Sequence, residues 1–229
     1  MRIGIDMDGT LADFACIWRH VERQLFGDDD LDADTPDDEA PAQEHGRDRR
    51  ATAIEGRRRE VWRAIRSVED FWTCLPPIEE GVVQRLNDVA LERKWEVFFL
   101  TQRPATAGET VQRQTQRWLV AQGFEHPSVL TVTGSRGAAA AALYLDVLID
   151  DLPRNCLDVV AESGCRPMLV LATPDDVTLQ SARRVNVTVV PTVGRALDLL
   201  MTPDSPPLTA RILQSARTLV EGRRRGGRP

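Results

Sequence analysis

Ile3-Gly4-Ile5-Asp6-Met7-Asp8-Gly9-Thr10-Leu11-Ala12-Asp13-Phe14 is the stretch of this 229-residue chain whose reading decides the fold. A short apolar run stops at Asp6 and is followed by a second aspartate and by Gly9-Thr10. Extended backbone alternates its sides, so Asp6 and Asp8 project together while Met7 points away. Gly9-Thr10 then supplies a tight turn whose backbone N–H groups would face an anion. The alternative for such an ending is ordinary chain reversal, since aspartate and threonine favour caps and turns.

Outward from that stretch, five further apolar runs have strand length: Val97-Phe98-Phe99-Leu100, Val129-Leu130-Thr131-Val132, Val147-Leu148-Ile149, Met168-Leu169-Val170-Leu171 and Val187-Thr188-Val189-Val190. Helical patterns fall at 79–93, 107–122, 136–145, 153–163, 192–201 and 207–222. From residue 77 onward this alternation predicts βαβ units around a parallel sheet, a three-layer α/β domain. Residues 14–75 break the rhythm, with helical patterns near Phe14–Phe26 and Ala53–Val68 and no convincing strand. They read as a helical insert after the first strand.

Three predicted strands end in side chains suited to phosphate and metal chemistry: Asp6, Thr101, and the pair Asp150-Asp151. In open parallel sheets the ligand crevice lies beyond the carboxyl ends of the strands. On neighbouring strands, about 4.8 Å apart, these residues would converge. Carboxylates so clustered repel one another unless a cation neutralises them. A hard, oxygen-ligated ion resolves the conflict, and Mg²⁺ suits few carboxylates, several waters and a substrate phosphate.

These residues resemble a known family. Asp6-Met7-Asp8-Gly9-Thr10-Leu11 is similar to the DxDGT motif of the haloacid dehalogenase (HAD) superfamily, Thr101 to its second motif and Leu148-Ile149-Asp150-Asp151 to its fourth. The resemblance implies an α/β, Rossmann-like (HAD-like) three-layer core with a parallel sheet, and a small helical cap inserted after strand 1. The core would comprise 1–13 and 77–203, and the cap 14–76. It further implies Asp6 as the nucleophile that forms an aspartyl-phosphate, and Asp8 as the acid and base. Thr101 would bind the transferring phosphoryl group. Mg²⁺ would be held by Asp6, the Asp8 carbonyl and Asp150, with Asp151 ordering its surroundings. The superfamily's third motif carries a lysine; here Gly134-Ser135-Arg136-Gly137 offers Arg136, in a chain whose one lysine is Lys94.

Within the superfamily the chain most resembles the 5′(3′)-deoxyribonucleotidases and their bacterial relatives. The likeness runs through Ile3–Phe14, Phe71-Trp72 with Leu75-Pro76, Leu100-Thr101-Gln102-Arg103-Pro104, Arg117-Trp118-Leu119 and Leu148–Pro153. It implies a Mg²⁺-dependent phosphomonoester hydrolase acting on (deoxy)nucleoside monophosphates. Met7, Gly9, Thr10 and Gln102 would contribute to phosphate or substrate binding. Phe14, Phe71 and Trp72 would wall a base pocket, with core packing as the alternative for each ring. Two other readings stand beside this one: a HAD phosphatase on another small phosphate ester, and a catalytically impaired phosphate-binding or docking protein.

Composition narrows the remaining classes. A formal charge of −6, from 35 acidic and 29 basic residues, argues against a partner that is a nucleic-acid polymer. No run of about 18 apolar residues exists, so the expectation is a soluble, cytoplasmic protein without a membrane partner. Cys16, Cys74, Cys156 and Cys165 lack metal-binding spacing and read as free thiols. His20, His45 and His126 read as surface or packing residues, Trp95 and Trp118 as core. A P-loop kinase is excluded, because Lys94 follows no glycine-rich loop. The acidic loop 28–44, with eight acidic residues in 28–39, reads as a solvated loop or a docking surface; EF-hand spacing is absent. The segment 204–229 is expected to form a helix and a basic, disordered tail. A homodimer stays open.

Overall fold

The computed structural model describes residues 1–27 and 49–202, with side chains described outside 49–53. The acidic loop 28–44 and the helix expected at 207–222 lie outside the described residues. The chain divides into two compact units, Met1–Ala196 and Leu197–Pro229.

Six strands form one sheet: β1 (Arg2–Asp6), β2 (Glu96–Thr101), β3 (Ser128–Thr131), β4 (Val147–Asp150), β5 (Arg166–Val170) and β6 (Thr188–Val190). All pairings are parallel and the spatial order is β3-β2-β1-β4-β5-β6. This is the doubly wound order, in which the chain steps outward from β1 to β3 and then returns to β4 on the other side. The crevice of such a sheet lies at that reversal, beyond the carboxyl ends of β1 and its two neighbours.

Register brings the expected strand ends to one level. Asp6 pairs with Leu100, one residue before Thr101, and Ile5 pairs with Ile149, one residue before Asp150. Ile3 and Ile5 are fully buried. Between them Gly4 leaves room for the tips of Leu145 and Leu148, which would lie within 2.7 Å of any Cβ placed there. Those leucines belong to a core of Leu100, Ala140, Val159 and Cys165, which seats two helices, α5 (Arg136–Ala142) and α6 (Pro153–Glu162), on the sheet.

The insert after β1 is helical. Helix α1 (Phe14–Phe26) begins where the Asp13 carboxylate accepts from the Cys16 N–H at 2.8 Å. Helix α2 (Arg49–Ser67) starts four residues before the sequence pattern places it, and packs on α1 through stacked Phe14 and Trp62 and edge-on Trp18. A 3-10 turn (Phe71–Thr73) leads to α3 (Val82–Arg93), and α4 (Val111–Ala121) follows β2. Helix α7 (Asp176–Arg184), absent from the sequence reading, is capped by the Asp175 carboxylate accepting from Thr178 N–H. Helix α8 (Val193–Met201) completes the described elements. Among the described residues, no helix is long and apolar enough to cross a membrane.

Candidate active site

Asp6 ends β1 because the sheet beneath it is apolar and the crevice above it is not. Its carboxylate is buried and accepts from the Arg136 guanidinium, Nη2 to Oδ1, at 2.7 Å. Arg136 is the first residue of α5, and its Nε stands 3.7 Å from Asp150 Oδ2. One guanidinium therefore lies between two carboxylates from adjacent strands. Asp150 is further fixed by the Leu152 N–H at 2.9 Å and by Asn155 Nδ2, at 3.1 and 3.0 Å to its two oxygens.

Asp151, one residue on, accepts from the Thr10 hydroxyl at 2.9 Å. It crowds Gly9, whose φ of +83° is left-handed and whose missing Cβ would run into the Asp151 carboxylate. Gly9 donates its N–H to the Ala12 carbonyl at 2.9 Å, while Leu11 and Ala12 donate to Met7 O. In this structure the Gly9 N–H thus serves the turn and the Thr10 hydroxyl holds Asp151. A Gly9→Ala substitution is expected to lower unfolding stability by about 2 kcal/mol, through the positive φ and the displaced carboxylate. Urea denaturation checks this, and an unchanged midpoint would contradict it.

Asp8 leaves the strand direction and meets Arg103, which sequence reasoning gave no role. Arg103 Nε and Nη2 each donate to one Asp8 oxygen at 2.6 Å, Nη1 donates to Thr115 Oγ1 at 2.9 Å, and the group lies over the Trp72 ring, 4.7 Å from its centroid. Thr101, buried at the end of β2, has its hydroxyl 3.4 Å from the Arg103 N–H. Gln102 is partly exposed beside it.

The electrostatics are those of an overcrowded acid cluster. Four carboxylates, Asp6, Asp8, Asp150 and Asp151, face two guanidiniums, Arg103 and Arg136. Burial, with Asp150 and Asp8 adding repulsion, raises the Asp6 carboxyl well above its ordinary range, against the pull of Arg136. Burial and the neighbouring Asp151 push Asp150 up to about 6, and burial and Asp6 push Asp151 up to about 7. The excess is two negative charges held by oxygen donors only, which fits a hard divalent cation. Among the described residues no three His, Cys, Asp or Glu side chains form a metal cage. The Asp6 and Asp150 carboxylates, joined through Arg136, are the oxygen donors of the cluster that could share such an ion, which would have to take its other ligands from outside these two side chains.

Phe14, Phe71 and Trp72 are brought together, but against one another. Phe14 stacks on Trp62, Phe71 meets Trp72 edge-on at 4.9 Å between centroids, and Trp18 closes the group. Trp72 donates its Nε1–H to the Pro104 carbonyl and its backbone N–H to Gln114 Oε1, both at 3.0 Å. The return segment of the insert is tied at Asp70 too, which accepts from the Glu109 N–H in the loop after β2 and from Arg117 of α4. Trp118 is buried and donates to Leu75 O at 2.7 Å.

No protein-family model matches the chain, and no curated protein matches it in sequence. Among solved structures it is similar to one described as a "putative beta-phosphoglucomutase from Thermotoga maritima", at 14% identity and a TM-score of 0.51, covering 87% of this chain and 97% of that one. It also matches a "HAD hydrolase, family IA, variant 3" from Entamoeba histolytica, at 12% identity and a TM-score of 0.45, over 85% of this chain and 94% of that one. The first likeness, with the six-stranded parallel sheet, shows the fold, a Rossmann-type α/β core, which in this chain carries a helical insert after its first strand.

Proposed function

We propose that the protein is a Mg²⁺-dependent phosphomonoester hydrolase of the HAD superfamily, acting on (deoxy)nucleoside 5′-monophosphates through an aspartyl-phosphate at Asp6. The observation that carries this reading is the buried Asp6 carboxylate at the sheet's reversal point, held by Arg136 and flanked by Asp150. A carboxylate nucleophile divides hydrolysis into two easier displacements. An Asp6 oxygen bonds to phosphorus as the ester P–O bond breaks, and Asp8 gives its proton to the departing oxygen. Water then attacks the phosphorus, Asp8 takes a proton from it, and Asp6 is regenerated. Thr101 supplies a hydroxyl to the phosphoryl oxygens from the next strand. Mg²⁺, when bound by Asp6, Asp150 and the Asp8 carbonyl, would neutralise charge on the phosphate. The nucleotide part of the reading rests on the sequence resemblance, because Phe14, Phe71 and Trp72 are buried against one another rather than facing an open pocket.

Phosphate release from a panel of nucleoside 5′- and 3′-monophosphates and sugar phosphates, with and without Mg²⁺, tests the reading. Release that needs Mg²⁺ and is fastest with a 5′-nucleotide is expected. A sugar phosphate preferred over every nucleotide would transfer the chemistry to another small ester. Phosphate binding without release from any substrate would favour the phosphate-binding reading, with Arg136 locking Asp6; Arg136→Lys would then be examined for restored turnover.

A further inference from the structure

We infer that Arg103 is the positioning residue for Asp8, fixing the carboxyl that exchanges protons with the leaving oxygen and with water. The inference rests on the hydrolase reading above and adds the residue on which proton transfer depends.

Three observations carry it. The Arg103–Asp8 pair is a two-point fork, with both bonds at 2.6 Å and both side chains buried. A fork fixes the plane of a carboxylate, where a single bond would let it turn. It takes one lone pair from each Asp8 oxygen and leaves the other to carry a proton. Secondly, Arg103 is itself fully determined: its third nitrogen donates to Thr115 of α4, and the Trp72 ring covers its face. Trp72 is held in turn by Pro104 and Gln114. Thirdly, burying a charged pair is costly, and an apolar pair of similar volume stabilises a core as well or better. Stability alone therefore does not account for an ion pair two residues from the nucleophile.

The test separates proton transfer from general damage. Arg103→Lys keeps the charge and loses the fork. Its kcat/KM on a nucleoside 5′-monophosphate, which reports the steps up to aspartyl-phosphate formation and whose leaving alkoxide needs a proton, is expected to fall about 10- to 100-fold. On p-nitrophenyl phosphate, whose leaving phenolate departs without one, kcat/KM is expected to change less than about 3-fold, while kcat on both substrates falls alike wherever water attack on the shared aspartyl-phosphate limits turnover. In an Asp8→Asn background the same substitution is expected to add no further loss on the nucleotide. An equal fall in kcat/KM on both substrates, or an additive loss in the double variant, would overturn the inference. Should Arg103→Lys show no cooperative melt, Thr115→Val, which removes only the outer bond, reads the same ratio between substrates. Wild-type protein silent on both substrates would overturn the hydrolase reading and this inference with it; wild-type turnover with a parallel loss overturns the positioning role alone.

Discussion

Asp6→Asn is expected to abolish phosphate release, lowering kcat by about 10⁴-fold or more, while the protein stays folded. The amide has the size of the carboxylate and keeps an oxygen able to accept from Arg136 Nη2, so the geometry at the end of β1 has no reason to change. What is lost is the nucleophile, because a neutral amide oxygen does not attack phosphorus in place of a carboxylate. The same substitution removes one charge from a cluster in which Asp6, Asp150 and Asp8 repel one another. Thermal stability of Asp6→Asn in EDTA at pH 8 is accordingly expected to equal or exceed that of the wild type. Activity and stability thus move in opposite directions at one position, as at sites where function holds like charges together. Phosphate release and a melting curve on one preparation check both parts. A variant that retains more than about a hundredth of wild-type turnover would remove Asp6 from its role, since a lost nucleophile costs far more than that.

What was legible in the sequence follows from how far each signal reaches. Strands buried on both faces are short apolar runs, so all six were visible, and so was the polar residue ending each strand at the crevice. The doubly wound order then requires only that Asp6, Thr101 and Asp150 share one end of the sheet. Helix α7 was missed because Asp176–Arg184 buries one residue, Ala182, and offers almost no apolar stripe; its start rests on the Asp175 cap. Arg103 was missed for a different reason. Its partner Asp8 lies 95 positions away, and nothing local distinguishes an arginine that turns inward from one in solvent. A similar limit applies to the aromatic residues. Sequence places Phe14 and Phe71-Trp72 at the two ends of the insert, but whether they face a ligand or each other depends on the approach of α1, α2 and the 3-10 turn.

The acid cluster sets a second large effect, a stability that falls as pH rises from 5 to 8 when divalent metal is removed. Asp150 titrates at about 6 rather than at its ordinary 3.8, and Asp151 at about 7. A raised carboxyl means that the folded state holds its proton more tightly than the unfolded chain. The resulting stability is full below the unfolded titration near 4 and is lost as pH climbs through 6 and 7. Each pH unit between the two titrations is worth about 1.4 kcal/mol, so Asp150 alone costs on the order of 3 kcal/mol once charged. Asp70 and Glu109 are shifted the other way by hydrogen bonds with their neighbours, so their contribution changes in more acidic solution, outside this window. Between pH 5 and 8 Asp150 crosses one such unit and Asp151 two, about 4 kcal/mol together, which for a protein of this size corresponds to a Tm roughly 8–16 °C lower at pH 8 than at pH 5 in EDTA. Millimolar Mg²⁺ is expected to recover most of that difference at pH 8 and little at pH 5, because a metal binds the deprotonated ligands. Asp150→Asn should flatten the pH dependence and remove most of the Mg²⁺ response. A Tm that rises from pH 5 to 8 in EDTA would show that the cluster is not under strain, and a Mg²⁺ shift undiminished in Asp150→Asn would place the ion elsewhere on the protein.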